Sequence, residues 1–214
     1  MSTMQAGKNT LAEFLDKQAI AEIVRLERFC RDRGEWDRLA ACHTEDSHVR
    51  TTWFDGTAPD FAAASKDMAE KGRLSTHLIT PTEIRINGDR ALCESLMEIH
   101  NRGAIGDVEV DTIMYGRFFS RLRRTAAGWR LASFDGIYHK DTIAPVNPAQ
   151  TIPIDWSELL QFRPSYRLWA YMMSRRGYRV THDELGDDRP DLLQAFYSAA
   201  EHWLASGEMP NRGG

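Results

Sequence analysis

The segment from Ser75 to His139 most constrains the fold, because its apolar residues recur with a period of two and its breaks resemble hairpin turns. Ala91, Cys93, Ser95, Met97 and Ile99 would point to one side of a strand. Leu92, Glu94, Leu96, Glu98 and His100 would point to the other. Asn87-Gly88-Asp89 and Thr125 to Gly128 read as turns, and Asn101 to Asp107 as a longer glycine-containing one. Strands are therefore expected over Ser75–Asn87, with a break at Pro81, and over Ala91–His100, Val108–Arg123 and Trp129–His139. Strands linked by such turns pair antiparallel, and their apolar face must be covered by other parts of the chain.

Candidates for that cover precede the strands. Leu11, Phe14, Leu15, Ala19, Ile23, Leu26 and Cys30 recur at helical spacing. A second helix is expected from Trp36 to His43, a strand from His48 to Phe54, and a third helix from Pro59 to Lys71, stopped by Gly72. Residues Met1 to Thr10 are small and polar and are expected to fray. Helices followed by hairpin-linked strands argue an α+β fold with a mostly antiparallel sheet. After the strands, Pro145, Pro148 and Pro153 mark Ile143 to Ile154 as an extended linker. A helix is expected over Pro164–Arg176, and another from Pro190 to Gly207. The stripe Leu192-Leu193, Phe196-Tyr197, Ala200 and Trp203-Leu204 on the last helix must be buried, against this chain or a neighbouring copy. The expected division is a first domain over residues 11–140 and a linker with a helical extension over 141–214, serving as a lid or an oligomer brace.

Charge and cysteine content narrow the partners. The formal net charge is -4 over 214 residues and no Lys/Arg run forms a basic patch, which argues against nucleic acid. No apolar run reaches membrane-spanning length, and the N-terminus lacks the plan of a signal peptide. Cys30, Cys42 and Cys93 are an odd number without CxxC spacing, so buried free thiols are expected. A soluble, cytoplasmic setting and a small-molecule partner follow as expectations. His43 and His48 lie five residues apart across a helix-to-strand break and should not share a face, so no metal site is expected. The arginines between Arg121 and Arg124 read as a solvated hairpin end.

One acid is awkwardly placed. Gly34 is a plausible helix stop, since only glycine takes a positive φ without steric penalty. Asp32 then sits in the last helical turn, where a carboxylate meets the negative end of the helix dipole and needs a partner.

Asp32, the run Trp36-Asp37-Arg38-Leu39 and His77 in Ser75-Thr76-His77-Leu78-Ile79 carry a resemblance. Between about Ala19 and His139 the chain resembles the SnoaL-like branch of the nuclear transport factor 2-like superfamily. It is most similar to the group of scytalone dehydratases, hexachlorocyclohexane dehydrochlorinases and bile-acid 7α-dehydratases. The resemblance implies a cone of helices packed on a curved sheet. It also implies a pair in which the Asp32 carboxylate orients His77 as general base, with no cofactor. A second catalytic histidine of the scytalone dehydratases would correspond to His100. The tyrosine those enzymes carry before the acid is Arg31 here, so a different substrate is expected.

The expected function is thus a cofactor-independent lyase of dehydratase type, acting on a small, partly apolar cyclic or carbonyl-containing molecule. Isomerisation and cyclisation are related possibilities. The contrasting alternative is a non-catalytic binding or assembly module of the same fold, like the small subunit of ring-hydroxylating dioxygenases. Arg50, Trp53, Tyr115, Phe119 and Tyr138 are candidates for lining the substrate site, and Arg50, Arg73, Tyr115 and Tyr138 for donating to an enolate oxygen. A homo-oligomer is expected from the apolar sheet face and final helix, and the resemblance implies a trimer slightly in preference to a dimer.

Overall fold

The computed structural model describes residues 10–72 and 75–208, so Arg73 and all but the last of the residues from Met1 to Thr10 lie outside the described residues. Thr10 does not fray. It caps helix α1 (Leu11–Arg33), its Oγ1 accepting from the Glu13 amide at 3.1 Å. Helix α1 stops at Gly34, whose φ of 72° lets the Glu35 amide turn back to the Cys30 carbonyl. Helix α2 (Trp36–Ala41) follows at once. Strand β1 (His43–Thr51) then starts earlier than the sequence suggests, absorbing Glu45 to Ser47 as an irregularity between His43 and His48. Strand β2 (Phe54–Thr57) and helix α3 (Ala58–Glu70) complete the first half.

Four long strands form the body of the sheet: β3 (Ser75–Asn87), β4 (Arg90–Ile105), β5 (Val108–Thr125) and β6 (Gly128–Pro145). The break expected at Pro81 is a register shift between Pro81 and Glu83, since proline has no amide to give the ladder. Two expectations about strand ends are corrected. Asn101 to Ile105 belongs to β4, and Ile143 to Pro145 belongs to β6, pairing with Thr112 to Val110. Proline is tolerated there because it stands at the strand's end.

The sheet order is β2-β1-β6-β5-β4-β3, with the short β7 (Leu185–Gly186) added beside β6. All pairs are antiparallel except β1 with β6 and β6 with β7. This is the expected α+β architecture of helices against an open, curved, mostly antiparallel sheet. Helices α1 and α3 pack on one face, sharing a core with Val49, Cys93, Met97, Met114, Phe118 and Phe134. Cys30, Cys42 and Cys93 are buried free thiols.

Beyond β6 come the short α4 (Trp156–Leu159), a 3-10 turn (Pro164–Tyr166), α5 (Arg167–Arg175) and α6 (Pro190–Ser206). The single helix expected over Pro164–Arg176 is thus a 3-10 turn leading into α5. The extension covers two places. Helix α5 joins the core on the α1 side through Trp169, Ala170 and Met173. Helix α6 buries its stripe against this chain's outer sheet face, over Leu92, Phe119, Ala132 and Ile137. Arg121 is drawn under this helix, 4% exposed, with Asp135 and Ser133, which corrects its reading as part of a solvated hairpin end. No helix among the described residues is long and apolar enough to cross a membrane.

Candidate active site

The inward stripe of α1 starts apolar, with Ile20 and Val24, and ends charged. Glu27, Arg28 and Arg31 continue it at helical spacing and are all buried. Arg28 pairs with Glu27 and lies over the Phe134 ring, 4.3 Å from its centroid. One turn later, on the flank of the stripe, stands Asp32.

Asp32 holds His77 at two points. Its Oδ1 accepts from the ring Nδ1 at 2.6 Å, and its Oδ2 accepts from the His77 backbone amide at 2.7 Å. Because the carboxylate takes the Nδ1 proton, the neutral imidazole keeps its lone pair on Nε2. The two side chains are 15% and 4% exposed. Burial pushes the His77 pKa down to about 4. The hydrogen bond to Asp32 opposes that shift, while the positive charges of Arg28 and Arg31 add to it. Near neutral pH the ring is therefore uncharged, the state a proton acceptor needs.

The register of the sheet decides what else faces His77. His77 stands opposite Ile99, Ile99 opposite Met114, and Met114 opposite Asp141. Residues opposite one another share a face. Ile99, Met114 and Phe118 accordingly line a cavity with His77, Arg31, Ser75 and Met68, and Trp53, Tyr138 and Trp169 complete its wall. Its volume is about 30 Å³, room for a water molecule and little more. Tyr138 is fully buried, and its hydroxyl accepts from the Thr52 amide at 2.9 Å. Trp169 donates through Nε1 to Thr52 Oγ1 at 2.9 Å, and its backbone amide to the Asp141 carboxylate at 2.8 Å. Burial raises the Asp141 pKa to about 6 against that backbone hydrogen bond.

Of the residues expected at the site, the structure gathers Asp32, His77, Trp53 and Tyr138 and separates the others. His100 pairs with Thr76 and Ile113 on the opposite face, where it bonds Glu98 at 2.9 Å. Tyr115 and Phe119 also face outward. Tyr115 lies under Lys140, and Phe119 is buried beneath α6 against Phe196 and Tyr197. The cavity residue is its neighbour Phe118, since one step along a strand changes the face. Arg50 lies outside the cavity wall, bound to Asp183 and Glu184. His43 and His48 have separate neighbours, Ser47 and Glu27 for one and Asp55 for the other. Among the described residues no three His, Cys, Asp or Glu side chains converge as a metal site would require.

Ser75, Met68 and Trp169 were not expected at the site, and Arg31 was expected only as the replacement for the tyrosine of the resembled enzymes. Charged residues occupying buried stripe positions on α1 were the available signal for Arg28 and Arg31. A larger open groove, about 550 Å³, lies on the outer face between Leu78, Leu96, Tyr115 and Arg117. Its one histidine, His139, is exposed and bonded to Asp187, so the buried acid–base pair marks the inner cavity as the candidate site.

The family model described as a SnoaL-like domain matches residues 12–135, more than half of the chain. Similar solved structures include a protein from Kribbella flavida, at 23% identity and a TM-score of 0.51, covering 57% of this chain and 90% of that one. A protein of unknown function from Mycobacterium tuberculosis shares 16% identity with a TM-score of 0.53, covering 79% of this chain and 99% of its own. A type 2 hexachlorocyclohexane dehydrochlorinase shares 12% identity with a TM-score of 0.53, covering 68% and 98%. At these identities the likeness shows the fold. No curated protein matches the chain.

Proposed function

The chain belongs to the SnoaL-like domain family, and on that premise we propose that it is a cofactor-independent lyase that removes water from a small cyclic carbonyl compound. The observation that carries this reading is the doubly anchored Asp32–His77 pair in a small, aromatic-lined cavity. His77 Nε2 takes a proton from the carbon α to the carbonyl, and the C–H electron pair moves into an enolate. The enolate collapses to a carbon–carbon double bond as the β C–O bond breaks, and the leaving oxygen takes the proton back from His77 as water. The products are an unsaturated carbonyl compound and water, and the imidazole ends neutral as it began. Asp32 stabilises the transient imidazolium and fixes the tautomer. The Tyr138 phenol, in the wall of the same cavity, would donate to the enolate oxygen. The dehydrochlorinase in the comparisons bears a name that fits the same logic, loss of a proton and a leaving group from adjacent carbons.

Entry requires the cavity to open, and Trp169 of α5 is the wall best placed to do so, which makes this part of the extension a lid. A panel of small cyclic β-hydroxyketones, followed by the ultraviolet absorbance of the enone, tests the reaction. His77→Ala and Asp32→Asn should each lose at least about a hundredfold in rate while folding normally. Full turnover by either variant would defeat the proposal.

The 30 Å³ cavity also favours a second reading, a module whose interior is simply packed and whose outer face does the work. Exposed Leu78 and Leu96 beside the outer groove are the surface such a module would use. The same surface suits a homo-oligomer, trimer or dimer, under either reading. Light scattering of Leu78→Glu would detect its loss, and the absence of turnover across the panel would favour the module.

A further inference from the structure

Arg31 is 8% exposed, and among the described residues no carboxylate lies within ion-pair distance of it. Its guanidinium donates to two neutral acceptors, Ser75 Oγ at 3.1 Å and Met68 Sδ at 3.7 Å, and lies over the Trp53 ring at 5.8 Å. The two nearest acids are engaged elsewhere, Glu27 by Arg28 and Asp32 by His77. A desolvated guanidinium served only by neutral groups is costly to hold, and it is the group best suited to clasp a carboxylate bidentately. It stands in the wall of the His77 cavity, and Ser75 is two residues from His77 on the same strand face.

We propose that the cavity takes a small cyclic carboxylate, its carboxylate held by Arg31 and the Ser75 hydroxyl and its ring against Trp53 and Phe118, in the space the Trp169 indole vacates. The proposal rests on reading the cavity as the substrate site and adds the charge of the substrate. It also gives Arg31 a second role. The groups facing His77 are Asp32, Arg28 and Arg31, and both arginines lower its pKa, Arg28 while paired with Glu27 and Arg31 without an acidic partner among the described residues. A carboxylate arriving on Arg31 cancels that arginine's share of the positive field and makes His77 a stronger base. Proton abstraction is then switched on by the substrate that needs it, while the empty site keeps a weak base.

The probes are benzoate and benzamide, alike in shape and different in charge, titrated against the full-length protein with tryptophan fluorescence and thermal unfolding as readouts. Trp169→Ala serves as the opened form. Benzoate should bind at least about tenfold more tightly than benzamide, a difference an ion pair of this kind supplies. Arg31→Gln should erase the preference, Arg31→Lys should keep part of it, and His77→Asn should keep it whole. In wild type, benzoate should raise the His77 pKa read by nitrogen NMR, and in Arg31→Gln it should not. Equal binding of the two probes, no binding in either wild type or Trp169→Ala, or an unchanged preference in Arg31→Gln would overturn the proposal. Should Arg31→Gln fail to fold, the His77 shift in wild type and the Arg31→Lys preference decide. Because His77→Asn keeps the carboxylate site and loses the base, failure here and failure of the lyase reading give different results.

Discussion

Replacing His77 by Asn should remove a pH dependence of stability whose size and sign follow from the site. Histidine in an unfolded chain protonates near 6.5, while His77 in the folded protein does so only near 4. Between those values the unfolded state binds more protons, so stability rises with pH across the window. His77 therefore contributes fully above 6.5 and loses its contribution as pH falls towards 4. At about 1.4 kcal/mol per pH unit the ceiling is about 3 kcal/mol. Asp141 works in the opposite sense: its folded value, near 6, lies above the ordinary 3.8, so its ionisation lowers stability as pH rises through that interval. The two overlap, and the wild-type curve alone would show little of either. Asparagine at position 77 can still donate an amide proton to Asp32 from roughly the place of Nδ1, but it does not titrate. Urea unfolding of wild type and His77→Asn across the window isolates the histidine, because Asp141 is common to both. The wild-type curve should fall below the variant's by about 2–3 kcal/mol more at the acid end than at neutrality. Curves that run parallel would show that His77 is not held neutral by burial, and the claim that it is ready to accept a proton near neutral pH would go with them.

Three further outcomes are expected. Asp32→Ala removes two charge-assisted hydrogen bonds and leaves the His77 amide and ring nitrogen without their partner; chemical denaturation should show a loss on the order of 2–4 kcal/mol. Gly116→Ala should destabilise by at least about 2 kcal/mol in the same assay, because a Cβ there meets the Ile137 carbonyl oxygen at the bulge between β5 and β6. Asp141→Asn keeps an acceptor for the Trp169 amide and removes a buried charge, so above pH 6 it should raise stability by roughly 1–3 kcal/mol, with the gain vanishing towards pH 4.

How legible each part was depends on how local its cause is. The end of α1 was legible because Gly34 acts within its own turn. The faces of β4 were legible where the outer face keeps Glu94, Leu96 and Glu98 partly or fully exposed, which gives the period-two pattern a polar side. Strand β5 offered no such contrast. From Phe118 to Arg121 it is buried on both faces, by the cone on one side and α6 on the other. Nothing in the sequence therefore distinguished Phe118 from Phe119, and Tyr115 was misplaced on the same strand. His100 failed for a related reason, since pairing His77 with Ile99 turns His100 outward. The partnership of Asp32 with His77 came from the family pattern, as 45 residues separate the two in the chain. Trp169, from beyond the matched region, was out of reach of any local signal.

A cavity the size of one water and the proposed catalytic role are reconciled by the way Trp169 is held. Its backbone is tied by Asp141, on the same sheet row as His77, whereas among the described residues its indole is hydrogen-bonded only to the Thr52 hydroxyl. Swinging the side chain breaks one hydrogen bond, about 1 kcal/mol net, and leaves α5 in place. The larger penalty is exposure of the ring, roughly 150–250 Å² at about 25 cal/mol per Å², or on the order of 5 kcal/mol. An open, empty cone is consequently a minor state. A ligand that replaces the indole with a ring of similar area recovers most of that energy, whereas a small polar solute does not. On the proposed reading the lid would discriminate by apolar area, and Arg31, buried behind it, by charge. A molecule that satisfies both is cyclic and anionic, and it would carry its acidic carbon to the one uncharged, carboxylate-oriented imidazole in the wall.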